Sequence, residues 1–175
     1  MVHIPEYSLV IRPPDPVIEL VGNLKKRLRE HIGWFGSAHA QAHLTIFNFD
    51  ANADELLIWQ ENIGKFCQSM VAQEVAFDHF DAFAPRTFFV SPDDRSMLYL
   101  NNVITSFARF IGEKPQAHAH ISIARSLREG QLEQVQSLLN EPIHFTFLCN
   151  SLTLRRFNAE VKQYSDIVAR FAFGG

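Results

Sequence analysis

The pattern Ala-His-x-Thr/Ser-Ile occurs twice, as Ala42-His43-Leu44-Thr45-Ile46 and Ala119-His120-Ile121-Ser122-Ile123, once in each half of the chain. Each copy leads through a helical pattern into a Phe-containing strand pattern, so the chain is constrained to fold as two like units. In a strand, residues i and i+2 share a face, about 6 to 7 Å apart. Leu44 with Ile46 and Ile121 with Ile123 are therefore expected under helices, and His43, Thr45, His120 and Ser122 on the opposite face. The implied sheet has one face covered by helices and one polar face lining a groove. A third match to the spacing, His144-Phe145-Thr146, lacks the Ala and Ile flanks and falls where the first half has Ala76. His144 and Thr146 are expected on the groove side, with Ile143, Phe145 and Phe147 under the helices.

Periodicity places a strand over 7–11 and a helix over 16–31, opened by Asp15-Pro16 and carrying Val17, Leu20, Leu24 and Leu28 on one face. The first His strand follows over 42–49. A helix over 54–70 repeats Leu56, Trp59, Ile63, Phe66 and Met70 at helical spacing. Strands are expected over 75–83 and 87–90. Ser91-Pro92-Asp93 starts a third helix, with Met97, Leu100, Ile104, Phe107 and Ile111 as its apolar stripe and Gly112 and Pro115 at its end. The second His strand spans 117–125. Ser126 and Glu129 suggest a capping box for a helix ending near 140. Strands over 143–149, 152–157 and 167–173 complete the chain. The duplication is laid out by matching Val75-Ala76-Phe77 to Ile143-His144-Phe145. The fold class expected is α+β: one domain over 1–175 made of two intertwined lobes, with two antiparallel sheets and outer helices around a central cleft, related by an approximate two-fold axis.

Composition narrows the function classes. A chain of 175 residues, 47% hydrophobic and 20% charged, suits one well-buried globular domain, and sixteen Phe imply an aromatic core. A net charge of −3 gives no global basic field for non-specific nucleic-acid binding, so a nucleic-acid substrate is expected to be small or held by its end. Only two cysteines, Cys67 in a helical pattern and Cys149 in a strand pattern, make neither a disulfide framework nor a thiolate metal motif. A reducing cytoplasmic setting and a monomer are expected. The first residues carry no basic-then-apolar leader, and no apolar run approaches membrane-spanning length.

Two imidazole–hydroxyl pairs facing each other would surround a phosphate. The imidazoles exchange protons with an attacking and a leaving oxygen while the hydroxyls donate to the phosphoryl oxygens. That chemistry calls for no cofactor or metal. Arg125, at the end of the second His strand, offers fork-shaped donors to a phosphate or ribose oxygen, and an ordinary surface arginine is the alternative. Phe47 and Phe49, by alternation on the side of His43, are candidates to stack on a base, with packing between lobes the plainer reading. His118 is expected at the rim, and His144 either lines the groove or is exposed. Lys25, Lys26, Arg27 and Arg29 read as a solvated helix face, and Arg155 and Arg156 as similar. His118 with His120, or His39 with His43, forms a second-choice metal pair that lacks an acidic third ligand nearby in sequence.

With the paired motifs, the duplicated order, the opening Tyr7-Ser-Leu-Val-Ile-Arg-Pro-Pro14 and the stretch His120-Ile-Ser-Ile-Ala-Arg125, the chain resembles the two-histidine (2H) phosphoesterases over nearly its whole length. The likeness is greatest to their bacterial 2′-5′ RNA ligase-like, or LigT-like, branch. The resemblance implies a bilobal fold and metal-independent hydrolysis of a cyclic phosphodiester, on an RNA end or a small nucleotide, or of a 2′-5′ linkage. It also implies catalytic roles for His43 and His120 and phosphate-contacting roles for Thr45 and Ser122. The rival readings are a nucleotide-binding module of the same fold without turnover and a His-based metal enzyme. His120 is taken as base and His43 as acid, an assignment that the sequence leaves open and that the reverse reaction exchanges.

Overall fold

A computed structural model describes residues 3–175. The chain order is β1 (Glu6–Ile11), α1 (Asp15–Ile32), β2 (Leu44–Asp50), α2 (Ala53–Gln68), β3 (Gln73–Phe83), β4 (Thr87–Pro92), α3 (Asp94–Phe110), β5 (Ile121–Ala124), α4 (Gln131–Leu138), β6 (Phe145–Cys149), β7 (Ser151–Asn158) and β8 (Gln163–Ala172). Two four-stranded sheets form, in the orders β2-β1-β7-β8 and β5-β4-β3-β6, and every pairing in them is antiparallel. The α+β fold of two antiparallel sheets is as the duplication implied.

The two strand orders map onto each other: β2 onto β5, β1 onto β4, and β7 onto β3. This corrects the matching of 75–77 to 143–145. β3 and β6 are neighbours in one sheet, with Ala76 opposite Thr146, and the counterpart of β3 is β7. Each unit therefore sends one strand, β3 or β7, into the sheet built on the other unit's strands, while β6, directly after α4, stays beside β3. The helices also cross over, since α1 packs on β5 and α3 packs on β2. One core, including Leu9, Leu44, Ile46, Phe77, Phe107, Ile121 and Ile123, runs through both sheets. Each fully buried side chain of this size contributes about 1.5 to 3 kcal/mol.

Two helix starts agree with their side chains. Asp93 accepts the Ser96 N–H at 2.8 Å to open α3. A capping box opens α2: Asn52 accepts from the Asp54 and Glu55 N–H groups, and Glu55 accepts from the Asn52 N–H. The capping box expected at Ser126 and Glu129 is absent. α4 begins after Gly130, at φ 79°, and Gln131 accepts the Arg128 N–H at 2.8 Å. Ser126 instead turns the chain at φ 54°, because its segment is held against the loop before β2.

A β-bulge changes the expected faces of β2. Val10 pairs with Thr45 and Leu9 with Phe47, so Ile46 has no partner and the side-chain alternation switches there. Before the bulge Thr45 faces the groove. After it Asn48 does, and Phe47 and Phe49 turn into the core. Phe47 stacks on Trp59 at 6.1 Å and meets Phe107 edge-on, and Phe49 stacks on Trp59 at 3.9 Å. The expectation that Phe47 lies beside His43 is thereby overturned, as strict alternation has no means of representing an extra residue.

Candidate functional site

β2 starts at Leu44 and β5 at Ile121, so His43 and His120 each sit one residue ahead of an edge strand. Each is oriented in the same way from two residues upstream. His43 Nδ1 lies 2.8 Å from the Gln41 carbonyl oxygen, and His120 Nδ1 lies 2.5 Å from that of His118. A carbonyl only accepts, so Nδ1 carries the hydrogen in both rings and Nε2 is the free nitrogen. The duplicated motif thus extends back to Gln41 and His118, whose part is played by backbone and is invisible as side-chain identity.

His43, Thr45, His120 and Ser122 line one cavity of about 330 Å3, together with Arg125, His118, Asn48 and Gln116. His120 is also set by edge-on contacts with Phe83 at 5.3 Å and Phe89 at 5.1 Å, and Ser122 pairs with Phe89 across β4 and β5. Gln116 ties the lobes together by accepting the Asn48 N–H at 2.9 Å and donating to the Asn48 carbonyl at 3.1 Å.

A second set of ties joins the loop before His43 to the end of β5. The Gly36 N–H donates to the Arg125 carbonyl at 2.8 Å, and the Ser37 hydroxyl to the Ile123 carbonyl at 2.9 Å. Gly36 is required there, since a Cβ would sit 2.8 Å from Ser126 Oγ and 3.1 Å from the Arg125 carbonyl oxygen. From below, Lys25 Nζ donates to the carbonyls of Ser37 at 2.9 Å and Ala40 at 2.7 Å.

Lys25 corrects the picture of a solvated basic face: it is 2% exposed, Arg29 donates to the Ala38 carbonyl, and Arg27 pairs with Glu141 at 2.6 Å. Lys26 alone of the four is simply exposed and unpaired among the described residues. Arg155 is likewise buried, at 8% exposure, whereas Arg156 is exposed and pairs with Asp166. Helical and strand spacing fail here because the structure buries these cations against loop carbonyls and a polar cavity instead of aliphatic core.

These cations set the electrostatics. Burial pushes the His43 pKa down to about 3, helped by Arg155, Lys25 and Arg125 and opposed by the Gln41 carbonyl. Burial also lowers that of His120, against the His118 carbonyl, with His118 and Arg125 adding to the depression. Lys25 falls to about 7 through burial and the neighbouring Arg125 and Arg29. Both histidines are neutral near pH 7, and the stronger depression lies on His43, opposite to its assignment as acid from sequence.

His144 lies apart from the cavity. It is exposed, ahead of β6 and near Asp93 at the start of α3, so the substrate-binding place considered for it is corrected. His39 lines an adjoining cavity instead. Among the described residues no group of three His, Cys, Asp or Glu is placed to hold a metal ion, so the pairs His118 with His120 and His39 with His43 find no third ligand. Also among these residues, no helix is long and apolar enough to cross a membrane.

The 2′-5′ RNA ligase superfamily model matches residues 13–160. No curated protein sequence matches the chain. Among solved structures, Escherichia coli LigT in apo form superimposes with a TM-score of 0.67 at 18% identity, covering 99% of this chain and 100% of that one. TT0787 of Thermus thermophilus gives 0.65 at 14% identity, covering 97% and 98%. Kluyveromyces marxianus Usb1 with uridine monophosphate gives 0.50 at 14%, over the same shares of the two chains. By sequence family, with a fold to match, the chain belongs to the 2′-5′ RNA ligase superfamily.

Proposed function

We propose that the protein is a phosphodiesterase that opens a cyclic phosphodiester, such as a nucleoside or RNA 2′,3′-cyclic phosphate, or cuts a 2′-5′ linkage, by acid–base catalysis at His43 and His120. The observation that carries this reading is the pair of imidazoles in one cavity, each with Nδ1 satisfied by a carbonyl and Nε2 free, accompanied by Thr45 and Ser122. Structures of Escherichia coli LigT with 3′-AMP and with phosphate are consistent with a phosphate-bearing ligand.

In the step proposed, one neutral Nε2 takes a proton from water as its oxygen forms a bond to phosphorus. The P–O bond to the ribose oxygen breaks, and the other imidazole, protonated, gives its proton to that oxygen. Thr45, Ser122 and Arg125 donate to the phosphoryl oxygens, where charge accumulates in the transition state. An entering phosphate anion favours the charged form of a nearby imidazole. His120, the less depressed of the two, is then the acid and His43 the base.

Turnover of nucleoside 2′,3′-cyclic phosphates in the presence of chelator tests this reading. His43→Ala and His120→Ala should each lose at least about a hundredfold. The double variant should lose far less than the product of the two, since the groups act in one step. His144→Ala should stay close to wild type. Binding without turnover would favour the silent module, and loss of activity on chelation the metal enzyme.

A further inference from the structure

A second cavity of about 320 Å3 adjoins the first, with His43 in the wall common to both, and Arg12, His39, Arg155 and Tyr164 among its lining residues. Its position follows from the register of the sheet. Val10 lies opposite Thr45 on one side and Thr153 on the other, so these three project from one face, and Arg155, two residues beyond Thr153, projects from it as well. Arg155 therefore rises beside the groove two strands away from the His43 motif, about 10 Å across the sheet at the usual strand spacing.

Arg155 is more than nine-tenths buried, its Nε has no hydrogen-bond partner, and among the described residues no carboxylate pairs with it. A buried cation without a counter-charge is disfavoured, and burial together with the neighbouring Arg12 draws its pKa down to about 10. Arg12 itself is half-buried and, among the described residues, bound only to the exposed Asp15, at 3.2 Å. Glu6 receives the Tyr164 hydroxyl at 3.4 Å and pairs with neither arginine. Two guanidiniums and a phenol thus converge on polar space, and among the described residues no carboxylate bridges the guanidiniums.

We propose that this cavity binds a second phosphate group of the substrate, so that the preferred substrates are cyclic phosphodiesters carrying another phosphate within one nucleotide of the scissile one, as in a 5′-phosphorylated nucleoside 2′,3′-cyclic phosphate. The substrate class rests on the phosphodiesterase reading, whereas the anion site stands without it. Bidentate donation from Arg155 and Arg12 would hold that phosphate while His43 and His120 flank the other.

Two measurements separate the claims. The first follows the ring resonances of His39, which lines this cavity and not the catalytic one, during titration with inorganic phosphate. His39 should shift saturably in the wild type, and Arg155→Met or Arg12→Gln should raise the phosphate needed at least tenfold. Arg12→Gln, at a half-buried position, serves if Arg155→Met does not fold. An unresponsive His39, or one that responds alike in the folded variants, overturns the anion site. The second compares kcat/KM for a nucleoside 2′,3′-cyclic phosphate with and without a 5′-phosphate. The ratio should be at least tenfold in the wild type and fall toward one in Arg12→Gln. A wild-type ratio near one overturns the substrate class. Turnover of neither compound refutes the phosphodiesterase reading and with it the substrate class, and the His39 titration still decides the anion site.

Discussion

Gly36→Ala tests how the two halves of the site are held in register. The new Cβ would meet Ser126 Oγ at 2.8 Å, Ser126 Cβ at 3.1 Å and the Arg125 carbonyl oxygen at 3.1 Å. Rotation of the Ser126 hydroxyl relieves only the first of these. The other two atoms move only with the backbone, which also accepts the Gly36 N–H at 2.8 Å. Overpacking of this kind costs about 1 to 3 kcal/mol, or about 2 to 12 °C in Tm for a domain of this size. Because the same backbone carries Arg125 and the loop leads to His43, turnover should fall as well. Ser126→Gly provides the internal control: it deletes two of the three contacts and suits a residue at φ 54°, where a non-glycine side chain costs about 1 kcal/mol. Alone it should be nearly neutral, because glycine also gains backbone entropy in the unfolded chain. Combined with Gly36→Ala it should restore at least half of the lost stability, a coupling of at least about 0.5 kcal/mol. Thermal and denaturant unfolding of the four proteins measures the cycle. A Gly36→Ala protein as stable as wild type, or one that Ser126→Gly leaves unimproved, would refute the reasoning.

Lys25→Met should cost about 1 to 3 kcal/mol by leaving the Ser37 and Ala40 carbonyls without their donor, and it should flatten the dependence of stability on pH. In the wild type the folded Lys25 pKa is about 7 against an ordinary value of 10.5, so between these values the unfolded chain binds more protons and stability rises with pH. The rise should be visible from pH 7 to about 8.5, below the range where Cys67 and Cys149, pushed up to about 12 by burial, oppose it. Urea midpoints that vary alike in both proteins would remove the role given to this amine. Thr45→Ala and Ser122→Ala should each lower turnover roughly ten- to a thousandfold, the effect of one lost transition-state donor, with unfolding midpoints little changed. Unaltered kinetics in both would show that the hydroxyls are bystanders.

The parts of the molecule legible in the sequence are those governed by short-range periodicity. Leu44 and Ile46, like Ile121 and Ile123, are fully buried, while Thr45 and Ser122 are partly exposed at the cavity, because alternation within a motif of five residues leaves no room for drift. Phe47 departs from its expected face through a single unpaired residue, Ile46, whose bulge is set by pairing with β1 and not by anything local. The equivalence of β3 and β7 is hidden for the same kind of reason. Which sheet a strand joins after a helix is decided by long-range pairing, and both β3 and β6 offer apolar residues at alternate positions. Lys25 and Arg155 escape a reading from composition because composition treats a cation as solvated, whereas here loop carbonyls or a polar cavity receive it. The capping box at Asn52 and Glu55 is readable in principle from Asn-x-x-Glu before an apolar helix stripe.

Duplication alone gives two imidazoles in one tautomer, held by the same i−2 carbonyl bond, and so gives no reason for one to act as base and the other as acid. The distinction the proposed reaction requires comes from residues outside the repeated motif. Burial weighs most on His43, and Arg155, Lys25 and Arg125 around it further disfavour its charged form. His120 stands against the rings of Phe83 and Phe89, where burial comes first and His118 and Arg125 add to the lowering of its pKa. A phenyl ring carries no net charge, so these rings impose less opposition to a proton than a guanidinium does. The asymmetry is thus written into β7 and α1 on one side and β3 and β4 on the other, where the pairing of β7 with β1 and of β3 with β4 brings them beside the repeated motifs. A swap of these surroundings, more than any change within His-x-Thr/Ser, is what would exchange the two roles.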